Sequence, residues 1–156
     1  MAQLGQFTPA TRSILVVEDR GDVRQGLLQL FDLYGYHASG VATGEEALDV
    51  LNAAPREFGL VLLDLSLAGR LSGYDVRKRL LADPHLAQVP TVVITGCEPP
   101  AAERAALRTD GWVEKPFRFA ALLAVVQAFV QPTPAAAHPG TFGPTPGVPR
   151  LKRASG

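Results

Sequence analysis

Leu60-Val61-Leu62-Leu63-Asp64 is an unbroken apolar run that ends in a carboxylate. A run of that length, apolar at every position, reads as a strand buried on both faces, the mark of a central parallel strand. Three other stretches end the same way. Ile14-Leu15-Val16-Val17 leads into Glu18-Asp19, Thr91-Val92-Val93-Ile94 into Thr95, and a short stretch near 111–114 into Lys115-Pro116. If all four are parallel strands, their polar ends share the carboxyl edge of one sheet. That edge is where open α/β sheets place their working crevice.

The segments between these runs read as helices. Val23, Leu27, Leu30, Phe31 and Tyr34 form one stripe from about Asp22 to Tyr34, and Gly35 suits the left-handed position past a helix end. A weaker strand follows at about 36–41. Thr43 and Glu46 have capping-box spacing for a second helix, which runs to about Ala53. The third strand is expected at 59–63. A loop then runs from Leu65 to about Leu71. Ser72 and Asp75 open a third helix, with Val76, Leu80 and Leu81 facing inward, and Pro84 closes it. The fourth strand is expected at 91–95, with Pro99 or Pro100 in the first turn of helix four. The fifth strand is expected at 111–114 and helix five from Arg118 to Val130. Strand and helix alternate five times, which predicts an α/β fold: a five-stranded parallel sheet covered by helices on both faces.

The chain has 156 residues, 47% of them apolar, enough for one domain with a full core. Residues 1–12 read as an N-terminal arm and 13–131 as the domain. The 132–156 segment carries six prolines and three glycines before Arg150, and reads as a Pro/Gly-rich tail rather than helix or central strand. Fifteen basic residues balance fifteen acidic ones overall. Residues 13–131, however, carry eleven basic against fifteen acidic groups, a net of −4. Such a body gives no reason to expect nucleic-acid binding, and the basic Arg150-Leu151-Lys152-Arg153 alone is a weak argument for it. Cys97 is the only cysteine, so an internal disulfide is impossible. No apolar stretch approaches a membrane span and no secretory signal opens the chain, so a soluble cytoplasmic domain with no membrane role is expected.

Gathered at one edge, Glu18, Asp19 and Asp64 would repel one another unless a cation compensates them. Oxygen ligands with room for water suit Mg²⁺, which pairs readily with phosphate. Residues 13–131 resemble the response-regulator receiver family, the CheY-like phosphoacceptor domains of two-component signalling. The resemblance rests on the acidic pair Glu18-Asp19, on Asp64, on Thr95-Gly96 and on Lys115-Pro116-Phe117, in that order. It implies a flavodoxin-like (βα)5 three-layer sandwich.

It also implies roles. Asp64 would take a phosphoryl group from a phosphohistidine. Glu18, Asp19, Asp64 and the backbone carbonyl of Ser66 would hold Mg²⁺. Lys115 would offset phosphoryl charge, Thr95 would turn toward the new group, and Trp112 would serve as the switch aromatic. The Lys115–Pro116 bond would be cis. Partners would be a sensor histidine kinase or a histidine phosphotransfer protein, docking beside helix one. The protein would be a stand-alone response regulator that signals by protein contacts, a phosphoacceptor rather than a turnover enzyme. Helix five carries Phe119, Leu122, Leu123, Val125, Val126, Phe129 and Val130, too many for one stripe. A homodimer is therefore expected, using helix five with helix four and strand five, or with helix one.

Ala68 stands where many receivers have proline, Gly73 lies one residue late, and Arg108-Thr109 replaces the usual Gly-Ala. These departures touch the loop after Asp64 and helix four, not the acceptor group. Ser66 and Cys97 occupy positions that tune phosphate lifetime in the family. A haloacid-dehalogenase-type phosphatase would need a second Asp at position 66. A receiver-like interaction module that is never phosphorylated is the other alternative. The sequence does not reveal the input signal, the kinase, the target or the dimer geometry.

Overall fold

The computed structural model describes residues 12–133. Most of the expected arm and tail lies outside these residues. Five parallel strands, β1 (Ser13–Val17), β2 (Ala38–Val41), β3 (Phe58–Asp64), β4 (Thr91–Thr95) and β5 (Gly111–Glu114), form one sheet in the order β2-β1-β3-β4-β5. The connections are α1 (Gly21–Leu33), α2 (Gly44–Ala53), α3 (Gly73–Ala82) and α4 (Ala101–Leu107), with α5 (Phe119–Val126) closing the domain. This is the expected three-layer α/β architecture.

Strand alternation divides the core. Ile14, Val16, Leu60, Leu62, Val92, Ile94 and Val113 face Leu27 and Phe31 of α1 and Leu122 and Val126 of α5. Leu15, Val17, Val61 and Leu63 face Ala47, Leu48 and Leu51 of α2 and Val76 and Leu80 of α3. All seven residues of β3 are buried. β3 pairs with β1 and β4 and is covered on both faces, which explains its unbroken apolar run.

The helix starts follow local chemistry. Thr43 Oγ1 accepts the Glu46 amide at 3.2 Å while Glu46 accepts the Ala42 amide at 3.0 Å. Ser72 and Asp75 make a complete capping box. Gly35 follows α1 with φ of 82°, a conformation that favours glycine.

Three expectations need correction. Pro100 is the N-cap of α4, with extended backbone, and the helix begins at Ala101. β2 starts at Ala38, because the Tyr36 amide bonds back to the Phe31 carbonyl and ends α1 first. α5 ends at Val126 rather than Val130. Its final turn tightens, with Ala128 and Phe129 donating to carbonyls three residues back, and Val130 is still buried against the core. The surplus apolar residues of α5 find partners within the chain. Phe119 packs on Phe31 and Tyr34 with ring centroids 5.4 Å apart in each case, leaving Ala120, Ala121 and Ala124 exposed.

Candidate functional site

Register brings the four strand ends together. Val17 of β1 lies opposite Leu63, Asp64 opposite Ile94, and Thr95 opposite Glu114. The next residues are therefore Glu18-Asp19 on one side of Asp64 and Lys115 beyond β4 on the other. Carboxylate oxygens of Glu18, Asp19 and Asp64 all lie within 4.8 Å of one another. Lys115 Nζ donates to Glu18 Oε2 and to Asp64 Oδ2, each at 2.8 Å.

These charges are largely withdrawn from water: Glu18 is 2% and Asp64 4% exposed. Burial raises the Glu18 carboxyl above its ordinary range, and the Asp64 charge adds to this. The hydrogen bonds from Lys115 and the Arg20 amide oppose it without cancelling it. Burial also disfavours the Lys115 ammonium and is its largest single influence. The hydrogen bonds and charges of Asp64 and Glu18 together outweigh it, so the lysine is held above its usual value.

One ammonium faces three carboxylates, so the cluster keeps an excess of negative charge. An all-oxygen, acidic, partly open site of this kind fits a hard divalent cation such as Mg²⁺, which retains waters. The exposed side of Asp19 supplies that opening.

Loop amides fix the carboxylates further. The Ser66 amide donates to Asp64 Oδ1 at 2.8 Å, and the Ala68 amide to Asp19 Oδ2 at 3.0 Å. The lengthened loop thus reaches back across the site. Gly73, at the start of α3, lies directly against the Asp64 backbone; a Cβ there would sit 2.2 Å from the Asp64 carbonyl oxygen.

Thr95 is placed differently. Its hydroxyl is buried and bonds within its own loop, donating to the Cys97 carbonyl at 2.8 Å and accepting the Cys97 amide at 3.2 Å. Its backbone carbonyl accepts the Lys115 amide at 2.7 Å. Trp112 is half-buried beside a cleft it shares with Thr95, Glu98, Arg104 and Glu114. The Arg104 guanidinium lies 4.8 Å from its ring centroid and also pairs with Glu98. The Lys115–Pro116 peptide is cis.

Two arginines escaped the sequence reading. Arg24 of α1 donates to the Glu18 carbonyl at 2.7 Å. Arg77 of α3 is buried and donates to the carbonyls of Leu107 and Arg108 and to Thr91 Oγ1. Arg24 bonds carbonyls in the turn before its helix and Arg77 reaches other elements, so no side-chain spacing rule points to either.

Comparison with known proteins agrees with this geometry. A family described as "Response regulator receiver domain" matches residues 14–127. The chain is 33% identical over 117 residues to the uncharacterized transcriptional regulatory protein YkoG of Bacillus subtilis, across 74% of this chain and 49% of that one. It therefore spans about half the length of that relative. It is 32% identical over 113 residues to protein Rrf1 of Nitratidesulfovibrio vulgaris, across 72% of this chain and 78% of that one. Among solved structures, chemotaxis protein CheY4 of Vibrio cholerae superimposes with a TM-score of 0.69 at 25% identity, over 78% of this chain and all of that one. Among the described residues, no helix is long and apolar enough to cross a membrane.

Proposed function

Because this chain belongs to the response regulator receiver domain family, we propose that it accepts a phosphoryl group on Asp64 from a phosphohistidine of a sensor kinase or phosphotransfer protein. One Asp64 carboxylate oxygen attacks phosphorus as the N–P bond of the phosphohistidine breaks. The departing imidazole takes up a proton from solvent. Glu18, Asp19, Asp64 and the Ser66 carbonyl are the groups that would hold Mg²⁺. When bound, the cation supplies positive charge to the phosphoryl oxygens.

Lys115 already lies against the nucleophile and adds its charge from the other side. The Ser66 amide orients the carboxylate. Phosphorylation gives Thr95 a stronger acceptor than the Cys97 carbonyl, and the movement passes to Trp112 and the surface around α4, β5 and α5. Output is by protein–protein contact in the cytoplasm, without turnover of a separate substrate.

The observation that carries this reading is the convergence of three carboxylates with a lysine bridging two of them. The test is intact-protein mass after incubation with a small acyl phosphate, with and without Mg²⁺, beside Asp64→Asn. A Mg²⁺-dependent gain of one phosphoryl group, lost in the variant, is expected. No gain on wild type, with the small donor or with a phosphorylated kinase, would leave an unphosphorylated interaction module. A gain that persists in Asp64→Asn would place the nucleophile elsewhere.

A further inference from the structure

We propose that Arg24 is a positioning residue for the acidic pair, and that Gly40 on the outermost strand exists to let it reach them. The inference rests on the cation-binding reading given above.

The backbone leaves the sheet at Glu18, whose amide makes the last bond of this stretch to β2, donating to the Val41 carbonyl at 3.1 Å. The carbonyls of Glu18 and Asp19 then lie where β1 turns into α1. Arg24 Nη1 takes up both, at 2.7 Å from Glu18 O and 3.5 Å from Asp19 O. Among the described residues Arg24 forms no ion pair, so its guanidinium serves these two peptide planes. Fixing the planes fixes the Cα–Cβ directions of both residues, and hence where their carboxylates point. Side-chain bonds complete the hold: the Arg20 amide on Glu18 Oε1 at 3.1 Å and the Ala68 amide on Asp19 Oδ2.

Arg24 reaches these carbonyls across β2. A Cβ on Gly40 would lie 2.9 Å from both Cγ and Cδ of Arg24 and 3.0 Å from Leu28 Cδ1. The arginine stem therefore occupies the space of the missing side chain. Gly40 has no left-handed φ that would otherwise call for glycine. On an outer strand, alanine would ordinarily be harmless or slightly stabilising. Here it pushes the arginine stem off its track.

Charge and position make opposite predictions. Removing a positive charge beside a cation site strengthens cation binding if Coulomb attraction decides it. Removing the brace weakens it, because outer groups that orient metal ligands typically contribute tenfold or more to affinity. Gly40→Ala keeps the charge and displaces the arginine stem, with the end of the Leu28 side chain the next atom it meets.

The experiment is Mg²⁺ titration by calorimetry on wild type, Arg24→Met, Gly40→Ala and the double variant, with thermal unfolding of each in Mg²⁺-free buffer. We expect roughly tenfold weaker binding in both single variants. The double variant should be no weaker than Arg24→Met, since both act through one contact. Unchanged or tighter binding in Gly40→Ala overturns the proposal, as does additive weakening in the double variant. If wild type binds no Mg²⁺, the cation-site reading falls and this inference with it. If wild type binds and the Gly40 variant is unaffected, only the inference falls.

Discussion

Replacing Gly73 with alanine tests how closely α3 is seated on the end of β3. The new Cβ would lie 2.2 Å from the Asp64 carbonyl oxygen, 2.5 Å from Leu65 Cα and 2.9 Å from the Asp64 carbonyl carbon. All three are backbone atoms, so no side chain can swing aside. The oxygen contact must open from 2.2 Å to at least 3.4 Å to become ordinary. That requires α3 or the end of β3 to move, at the upper end of overpacking costs, about 3 kcal/mol. Against this, alanine in a helix gains up to about 1 kcal/mol over glycine. The net loss is roughly 2 kcal/mol, or about 8 °C in Tm for a domain of this size.

Gly26, inside α1, is the matched control, since its Cβ would meet nothing within 4 Å. Gly26→Ala should gain close to 1 kcal/mol. Both variants can be followed by urea unfolding and by the initial rate of phosphorylation from an acyl phosphate. The Gly73 variant should also phosphorylate more slowly, by up to about 100-fold, because a shift of roughly 1 Å at a reacting group has that effect. If both alanines move stability in the same direction, or if Gly73→Ala phosphorylates at the parental rate, the tight seating described here is wrong.

Other perturbations follow from the same geometry. Arg77→Met removes three hydrogen bonds from a buried guanidinium and orphans two carbonyls at the end of α4; a loss of about 3 kcal/mol by chemical denaturation is expected. Arg108 ends α4 with φ of 43°, so Arg108→Gly should gain about 1 kcal/mol, and unchanged stability would count against that backbone conformation. The raised Glu18 carboxyl means the folded, metal-free state holds more protons than the unfolded state just above pH 4.5. Its contribution to stability therefore falls as pH rises from there through the folded value, then levels off; Glu18→Gln should flatten that slope in a pH series of Tm measurements. Lys115 has the same sign in a higher window: its raised value contributes stability present at neutral pH and lost only as pH climbs past the ordinary lysine range.

What could be read from the chain alone follows from which interactions are local in pattern. Val61 to Leu63 announce a strand because central parallel strands bury every side chain, and Asp64 stands out because the run stops at it. Ser72 and Asp75 announce a helix start because their bonds close within four residues. Arg24 and Arg77 are illegible because they mostly bond carbonyls, which every residue has, Arg24 in the turn just before its helix and Arg77 about thirty residues ahead. The sequence carries α5 on to Val130 because nothing in Ala124-Val125-Val126-Gln127 breaks a helix; instead the turn tightens at Ala128 and Phe129, with Val130 buried beyond it. The missing Gly-Ala near residue 108 was a visible departure, and its structural correlate is a left-handed arginine whose carbonyl Arg77 holds.

The unequal footing of the two sides of the site has a consequence for its dynamics. Asp64 ends a seven-residue strand bonded on both sides, whereas Lys115 follows a four-residue strand bonded only to β4. Amide hydrogens at the rim of such a sheet exchange through local openings that leave the middle closed. The ammonium is thus tethered to an edge of the sheet and the carboxylate to its middle. Fraying of β5 alone would uncouple Lys115 from Asp64, so deuterium uptake in Gly111–Glu114 should outpace that in Phe58–Asp64, and anything that grips α5 or β5 from outside would tune how long the two remain engaged.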